Sequence, residues 1–155
     1  MKPERLLLLS AAVALLATSV PAADRPDLSG SWALDAASSD FGPAPVPGGL
    51  VLTIRMQGAS FDVTQTGGGG PELVLHFDTS GQQVTNEIPG AKMTSTHRWE
   101  GDALVGEIRI AAEDGMALLF KDRISCSRDG KVMTLTRDID GPNGAARMKM
   151  VMNRK

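Results

Sequence analysis

From Leu28 onward the chain is broken at short, even intervals by turn chemistry: Gln57-Gly58, the run Gly67 to Gly70, Asp78 to Gly81, Pro89-Gly90, Glu100-Gly101-Asp102, Glu113-Asp114-Gly115, Arg128-Asp129-Gly130 and Gly141-Pro142-Asn143-Gly144. Glycine and asparagine tolerate the positive φ of tight hairpins, and aspartate supports such turns by bonding to nearby backbone. Between the breaks the pattern alternates. In LVLTIRM, Leu50, Leu52, Ile54 and Met56 share one face while Val51, Thr53 and Arg55 share the other. The same period runs through Phe61, Val63 and Gln65, through Leu73, Leu75 and Phe77, and through Met148, Met150 and Met152. A period of two is the mark of a half-buried strand. No later stretch sustains the i, i+3, i+4, i+7 pattern over three turns, so little or no helix is expected there.

The segments number about ten, beginning near Leu28, Gly49, Ala59, Pro71, Gln82, Ala91, Ala103, Met116, Lys131 and Ala145. With an even count the first and last strands of a meander run antiparallel and can pair, which removes the free edges. The fold expected is therefore all-β, a closed up-and-down antiparallel barrel of about eight to ten strands. An open two-sheet sandwich is the alternative. The one long connection, Asp35 to Gly48, holds three prolines and Phe41. It reads either as a rigid strap that packs Phe41 over one end of the barrel, or as a lid over a ligand site.

The start of the chain has a different character. Lys2 and Arg5 precede an apolar run from Leu6 to Ala17, and small residues follow at Val20-Pro21-Ala22. That is the pattern of a secretory signal helix over residues 1–23, cleaved near Ala22 or Ala23, ahead of a single domain over 24–155. The run is too short for a membrane span, which needs roughly 20 residues. The expected location is periplasmic or secreted, with no membrane span in the mature form.

Composition excludes several functions. The net charge of −2 is dispersed, so nothing draws the chain electrostatically to nucleic acid. There is no Tyr and aromatics are 4% of residues, which removes the stacking platforms used for single-stranded nucleic acid and disfavours sugars. Cys126 is the only cysteine and reads as a small buried hydrophobe. Two histidines on separate strands supply neither a zinc set nor a nucleophile and its base. The run Gly67 to Gly70 lacks the Lys-Ser/Thr and helix of a phosphate loop and reads as a flexible turn. No catalytic residue, metal site or cofactor is expected.

The opening LSGSWAL, with Gly30-x-Trp32, is similar to the first strand of lipocalins and their barrel relatives. The resemblance implies that Trp32 closes one end of the barrel and that an Arg of the last strand lies across it; in MVMNRK the matching residue is Arg154. Arg147 is the second choice. The segments SGSWALDAASSDFGPAPVPG, RWEGDALVGE and SRDGKVMTLTRDIDGPNG look like those of a family of small, uncharacterised secreted bacterial lipocalin-like (calycin-type) β-barrels. That resemblance covers most of the chain after residue 23. It implies a fold and a location and carries no activity. The middle motif of typical lipocalins is absent.

Alternation also picks out polar residues that share a face with apolar ones. His97 has the parity of Met93, Ser95 and Trp99; Asp122 that of Met116, Leu118, Phe120, Ile124 and Cys126; Arg137 that of Met133, Leu135 and Ile139. A charge turned into an apolar interior costs several kcal/mol unless it is paired. Three outcomes are open: an internal network of Arg137, Asp122 and His97; Arg137 holding the carboxylate of a fatty-acid-like ligand; or a β-bulge that turns Asp122 and Arg137 to solvent. Arg137, His97, Asp122 and Trp99 are the ligand-binding candidates, and Gly30, Trp32 and Arg154 the closure set. His76, opposite in parity to Leu75 and Phe77, is expected to be exposed. Leu50, Leu52, Phe61, Leu75, Leu118, Met148 and Met150 are expected to line the interior.

Two functions compete on this reading. One is a non-enzymatic barrel that holds a small apolar or amphipathic molecule, such as a lipid or fatty acid. The other is a protein-interaction module with a filled core, an inhibitor or envelope-associated binding protein, contacting its partner through Asp35 to Gly48.

Overall fold

The structure, a computed structural model, describes residues 25–155. The signal helix expected over residues 1–23 lies outside them. Ten strands follow in chain order: β1 (Gly30–Leu34), β2 (Val51–Gln57), β3 (Ser60–Thr66), β4 (Leu73–Asp78), β5 (Val84–Ile88), β6 (Ala91–Glu100), β7 (Ala103–Ala112), β8 (Ala117–Cys126), β9 (Val132–Gly141) and β10 (Gly144–Arg154). Each begins within two residues of the position set by the turn signals. The single helical element among the described residues is one short turn at Ala36–Ser38.

All ten strands join one antiparallel sheet in the order β4-β3-β2-β1-β10-β9-β8-β7-β6-β5. The first and last strands pair, with Trp32 opposite Arg154 and Leu34 opposite Met152. This single sheet replaces the two-sheet alternative. It curls until β4 and β5 lie side by side, and there the backbone ladder stops. A side chain fills the seam. Asn86 of β5 accepts a hydrogen bond from the His76 backbone N–H through Oδ1 at 2.8 Å and donates from Nδ2 to the His76 carbonyl, also at 2.8 Å. One amide group thus occupies the place of a neighbouring peptide and satisfies both backbone groups of His76. The barrel is nearly closed.

The inward faces are those read from alternation. Leu50, Leu52, Ile54, Phe61, Phe77, Met93, Ile108, Met133, Leu135, Met150 and Met152 are all buried. Each large apolar side chain withdrawn from water in this way stabilises the fold by about 1.5–3 kcal/mol.

One end of the barrel is sealed. Trp32 is fully buried (0% exposed) and donates its indole N–H to the Leu28 carbonyl at 2.9 Å. The Arg154 guanidinium carbon stands 4.2 Å from the Trp32 ring centroid. It also donates to the carbonyls of Gly130, Ser29 and Asp27. Gly30 makes room for it: a Cβ there would lie 2.6 Å from Arg154 Nη1, and the backbone has φ +126°, which side chains other than hydrogen disfavour. Arg147 lies elsewhere, paired with Asp138 on the exposed surface.

At the opposite end, the 35–48 connection is tied down. Asp40 and Lys149 exchange backbone hydrogen bonds of 2.8 and 2.7 Å, and Gly68 donates to the Gly48 carbonyl at 2.8 Å. The glycine run reading as a flexible turn is thus pinned. Gly67 passes so close to Gly49 that a Cβ would lie 2.1 Å from its carbonyl oxygen.

Candidate functional site

A cavity of about 290 Å³ runs through the barrel interior. Its walls are largely apolar: Leu50 just before β2, Leu52 and Ile54 from β2, Phe61 and Val63 from β3, Leu75 and Phe77 from β4, Ile124 from β8, Leu135 from β9, and Met148 and Met150 from β10. Phe41 and Pro47 of the long connection and Gly68 of the β3–β4 turn complete it at the end away from Gly30. Phe41 therefore forms part of the cavity wall. Of the residues expected to line the interior, Leu118 is the exception. Its side chain lies over Gly141, where a Cβ would stand 2.5 Å from Leu118 Cδ2, and borders a separate open groove with Ile110 and Ala117. Met116 precedes β8 and is 44% exposed.

Apart from Gln65 on β3, the polar part of the wall is one row across four strands. His97 on β6 stands opposite Gly106 on β7, Gly106 opposite Asp122 on β8, and Asp122 opposite Arg137 on β9. Strand register alone brings these groups together, because side chains opposite one another on a ladder share a face. The β8–β9 ladder runs unbroken from Leu119↔Asp140 to Cys126↔Met133. No bulge intervenes, and the outcome in which one turns Asp122 and Arg137 to solvent is set aside: both line the cavity.

Asp122 and Arg137 form a two-pronged pair. Arg137 Nε donates to Oδ1 at 2.7 Å and Nη2 to Oδ2 at 2.6 Å. The Asp122 side chain is 3% exposed and that of Arg137 19%. The guanidinium carbon lies 4.4 Å from the Phe120 ring centroid, which adds a cation–π contact. A guanidinium has five N–H donors, and Asp122 occupies one edge of the fork. The edge carrying Nη1 has no protein acceptor among the described residues.

His97 lies flat on Gly106, where a Cβ would fall 2.2 Å from its Cδ2. Phe61 and Phe77, stacked on each other at 4.9 Å, both meet the His97 ring edge to face, at 5.6 and 5.0 Å. Burial pushes its pKa down to about 4; the Asp122 carboxylate opposes this shift and Arg137 adds to it. The ring is neutral near pH 7. Its Nδ1 is buried without a hydrogen-bond partner, as is the Ser95 hydroxyl two residues away on the same face.

Trp99 does not join this row. It is half-buried, opposite the fully buried Leu104, with the Arg25 guanidinium 5.8 Å from its ring, and it is not part of the cavity wall. The strands of a barrel tilt, so two residues of equal parity on one strand stand at different heights. His76 is exposed and pairs with Asp62 at 2.6 Å. Cys126 is half-buried, and burial raises its thiol pKa. Among the described residues no three His, Cys, Asp or Glu side chains come together as metal ligands.

Three contributors escape a reading by alternation. Gly106 is marked only as a glycine inside a strand, which signals a close approach of another group. Asn86 shares parity with Val84 and Ile88, a polar residue on an inward face. Gly68 gives no sign that its turn borders a cavity.

No protein-family model matches the sequence, and no curated protein matches it. Similarity appears at the level of structure. The zebrafish ileal bile acid-binding protein complexed with cholic acid superposes with a TM-score of 0.58 at 18% identity, covering 82% of this chain and 98% of that one. The Caenorhabditis elegans lipid binding protein 8 gives 0.59 at 12% identity, covering 82% and 94%. Secretory abundant heat soluble protein 4 from Ramazzottius varieornatus gives 0.57 at 14% identity, covering 82% and 94%. At such identities the likeness concerns architecture, and the ten-stranded sheet of this chain has the lipocalin-like barrel fold of these proteins.

Proposed function

We propose that this chain is an exported, non-enzymatic carrier that holds a small amphipathic molecule, with its apolar part against the Met148–Met150 wall and an anionic head beside Arg137. The observation that carries this reading is the cavity itself: an apolar enclosure with one guanidinium edge left uncommitted on its wall. Its volume of about 290 Å³ falls just below the usual range of ligand pockets, roughly 300–1,000 Å³, which favours a medium-chain acid over a long lipid. The thioethers of Met148 and Met150 adapt their shape to a chain. Structural neighbours named for bile acid, lipid and fatty acid binding or transport support the same reading. Export to the periplasm or beyond rests on the pattern of Lys2, Arg5 and the apolar run after them. The rival interaction module calls for a filled core, and the cavity favours the carrier.

Gentle purification followed by native mass spectrometry, and calorimetry of the stripped protein with decanoic acid, tests the proposal. The expected result is one bound molecule per chain, with a negative heat-capacity change from buried apolar surface. Failure to retain any small molecule, together with no heat of binding for medium-chain acids, overturns it.

A further inference from the structure

The carboxylate head accounts for Arg137 and leaves His97, a separate polar group on the cavity wall, without a purpose. His97 is 3% exposed, reaches the cavity wall, and has its Nδ1 buried with no partner. The next inward residue toward the strand start, Ser95, is 2% exposed and its hydroxyl is unpartnered too. Buried polar atoms without partners are uncommon and cost about 1–3 kcal/mol each. The imidazole is also held in position: Gly106 provides the space beneath it, and Phe61 and Phe77 close on it from across the seam. A ring needed only as filler could be phenylalanine.

Resting on the carrier reading above, we propose that the preferred ligand is a hydroxylated medium-chain acid whose hydroxyl bonds to the His97 imidazole while its carboxylate meets Arg137. The chemistry selects the hydroxyl. A neutral imidazole presents one donor and one acceptor, and a hydroxyl can serve either. A second carboxylate could accept from the neutral ring but would be a buried anion with no cation beside it, which the apolar wall opposes. An ammonium can only donate and would have to be buried as a charge, which the apolar wall opposes.

The test compares decanoic acid with its monohydroxy isomers by calorimetry, on the wild-type protein and on His97→Phe. One isomer is expected to bind about tenfold tighter than decanoic acid, the gain from pairing a buried polar group. In His97→Phe the ratio of those two affinities is expected to fall to about one. In the wild type, the imidazole nitrogen resonances of His97 should move with the preferred isomer and stay in place with decanoic acid. Binding of decanoic acid with no isomer preferred overturns this inference and leaves the carrier intact. A preference that survives in His97→Phe, or unmoved imidazole resonances in the presence of the preferred isomer, overturns the role of His97. No binding of any acid overturns the carrier reading, and this inference with it.

Discussion

The Asp122 carboxylate and the Arg137 guanidinium stand directly opposite each other on β8 and β9 and share two parallel hydrogen bonds inside the barrel. Breaking such a buried pair from one side leaves an uncompensated charge, at a cost of about 3–5 kcal/mol. Asp122→Ala and Arg137→Ala should therefore each lower the urea midpoint sharply. Replacing both charges with apolar residues of similar size, Asp122→Leu with Arg137→Met, should restore most of the stability, since the pair offsets its own desolvation only in part. A double variant as unstable as either single one contradicts this.

The same pair governs affinity separately from stability. Arg137→Ala should weaken decanoate by more than about 1.5 kcal/mol, the lower end for a charge-assisted hydrogen bond. Asp122→Asn should act in the opposite direction, because Arg137 then offers its full charge to the ligand. Calorimetry on both variants distinguishes an anion site from a purely structural pair, which predicts no change in either.

The pH dependence should expose His97. Its folded pKa of about 4 lies below the ordinary 6.5, so the unfolded chain binds the extra proton first. Stability is unaffected by this group above about pH 6.5 and falls as pH drops from there toward 4, by a total on the order of 3 kcal/mol. The carboxylates held below their usual range by hydrogen bonds, such as Asp35 and Asp138, lose their contribution only below about pH 4. Urea melts of the wild type between pH 7 and pH 4.5 should slope, and those of His97→Phe should be nearly flat.

The seam between β4 and β5 depends on one side chain. Asn86→Ala strips both partners from the His76 backbone, and a loss of about 2 kcal/mol is expected. Amide exchange at His76 should accelerate far more than exchange on β8 or β9. Uniform acceleration across the sheet would mean that the seam has no separate behaviour.

At the sealed end, Gly30→Ala forces a Cβ toward Arg154 and places alanine at a positive φ. A destabilisation of at least about 1 kcal/mol is expected, with a loss of the near-ultraviolet signal of the packed Trp32. An unchanged thermal midpoint would show that the arginine moves aside at no cost.

Much of this was legible in the residues. Turn chemistry placed the strands, and alternation gave Leu52 and Phe61 to the interior; it left Asp122 and Arg137 open between interior and solvent, because only the unbroken β8–β9 register excludes a bulge. Height along the barrel was not legible: parity grouped Trp99 with His97 and Leu118 with Asp122, while strand tilt separates them. Position across the barrel was not legible either. Phe61 and Phe77 face each other on the β3–β4 ladder, but His97 stands on β6, which shares no ladder with either strand, and only the curl of the sheet brings it onto them. Asn86 escaped for a different reason. Its partner is backbone exposed where a ladder ends, and a local pattern carries no record of which strands fail to pair.

The most direct test is where a bound chain sits. With methyl-labelled methionine and unlabelled decanoate, nuclear Overhauser contacts should link the acyl protons to Met148 and Met150 of the interior and leave the exposed Met116 silent. Acyl contacts confined to Met116, or to the outer groove at Leu119, would place the ligand outside the barrel and contradict the account.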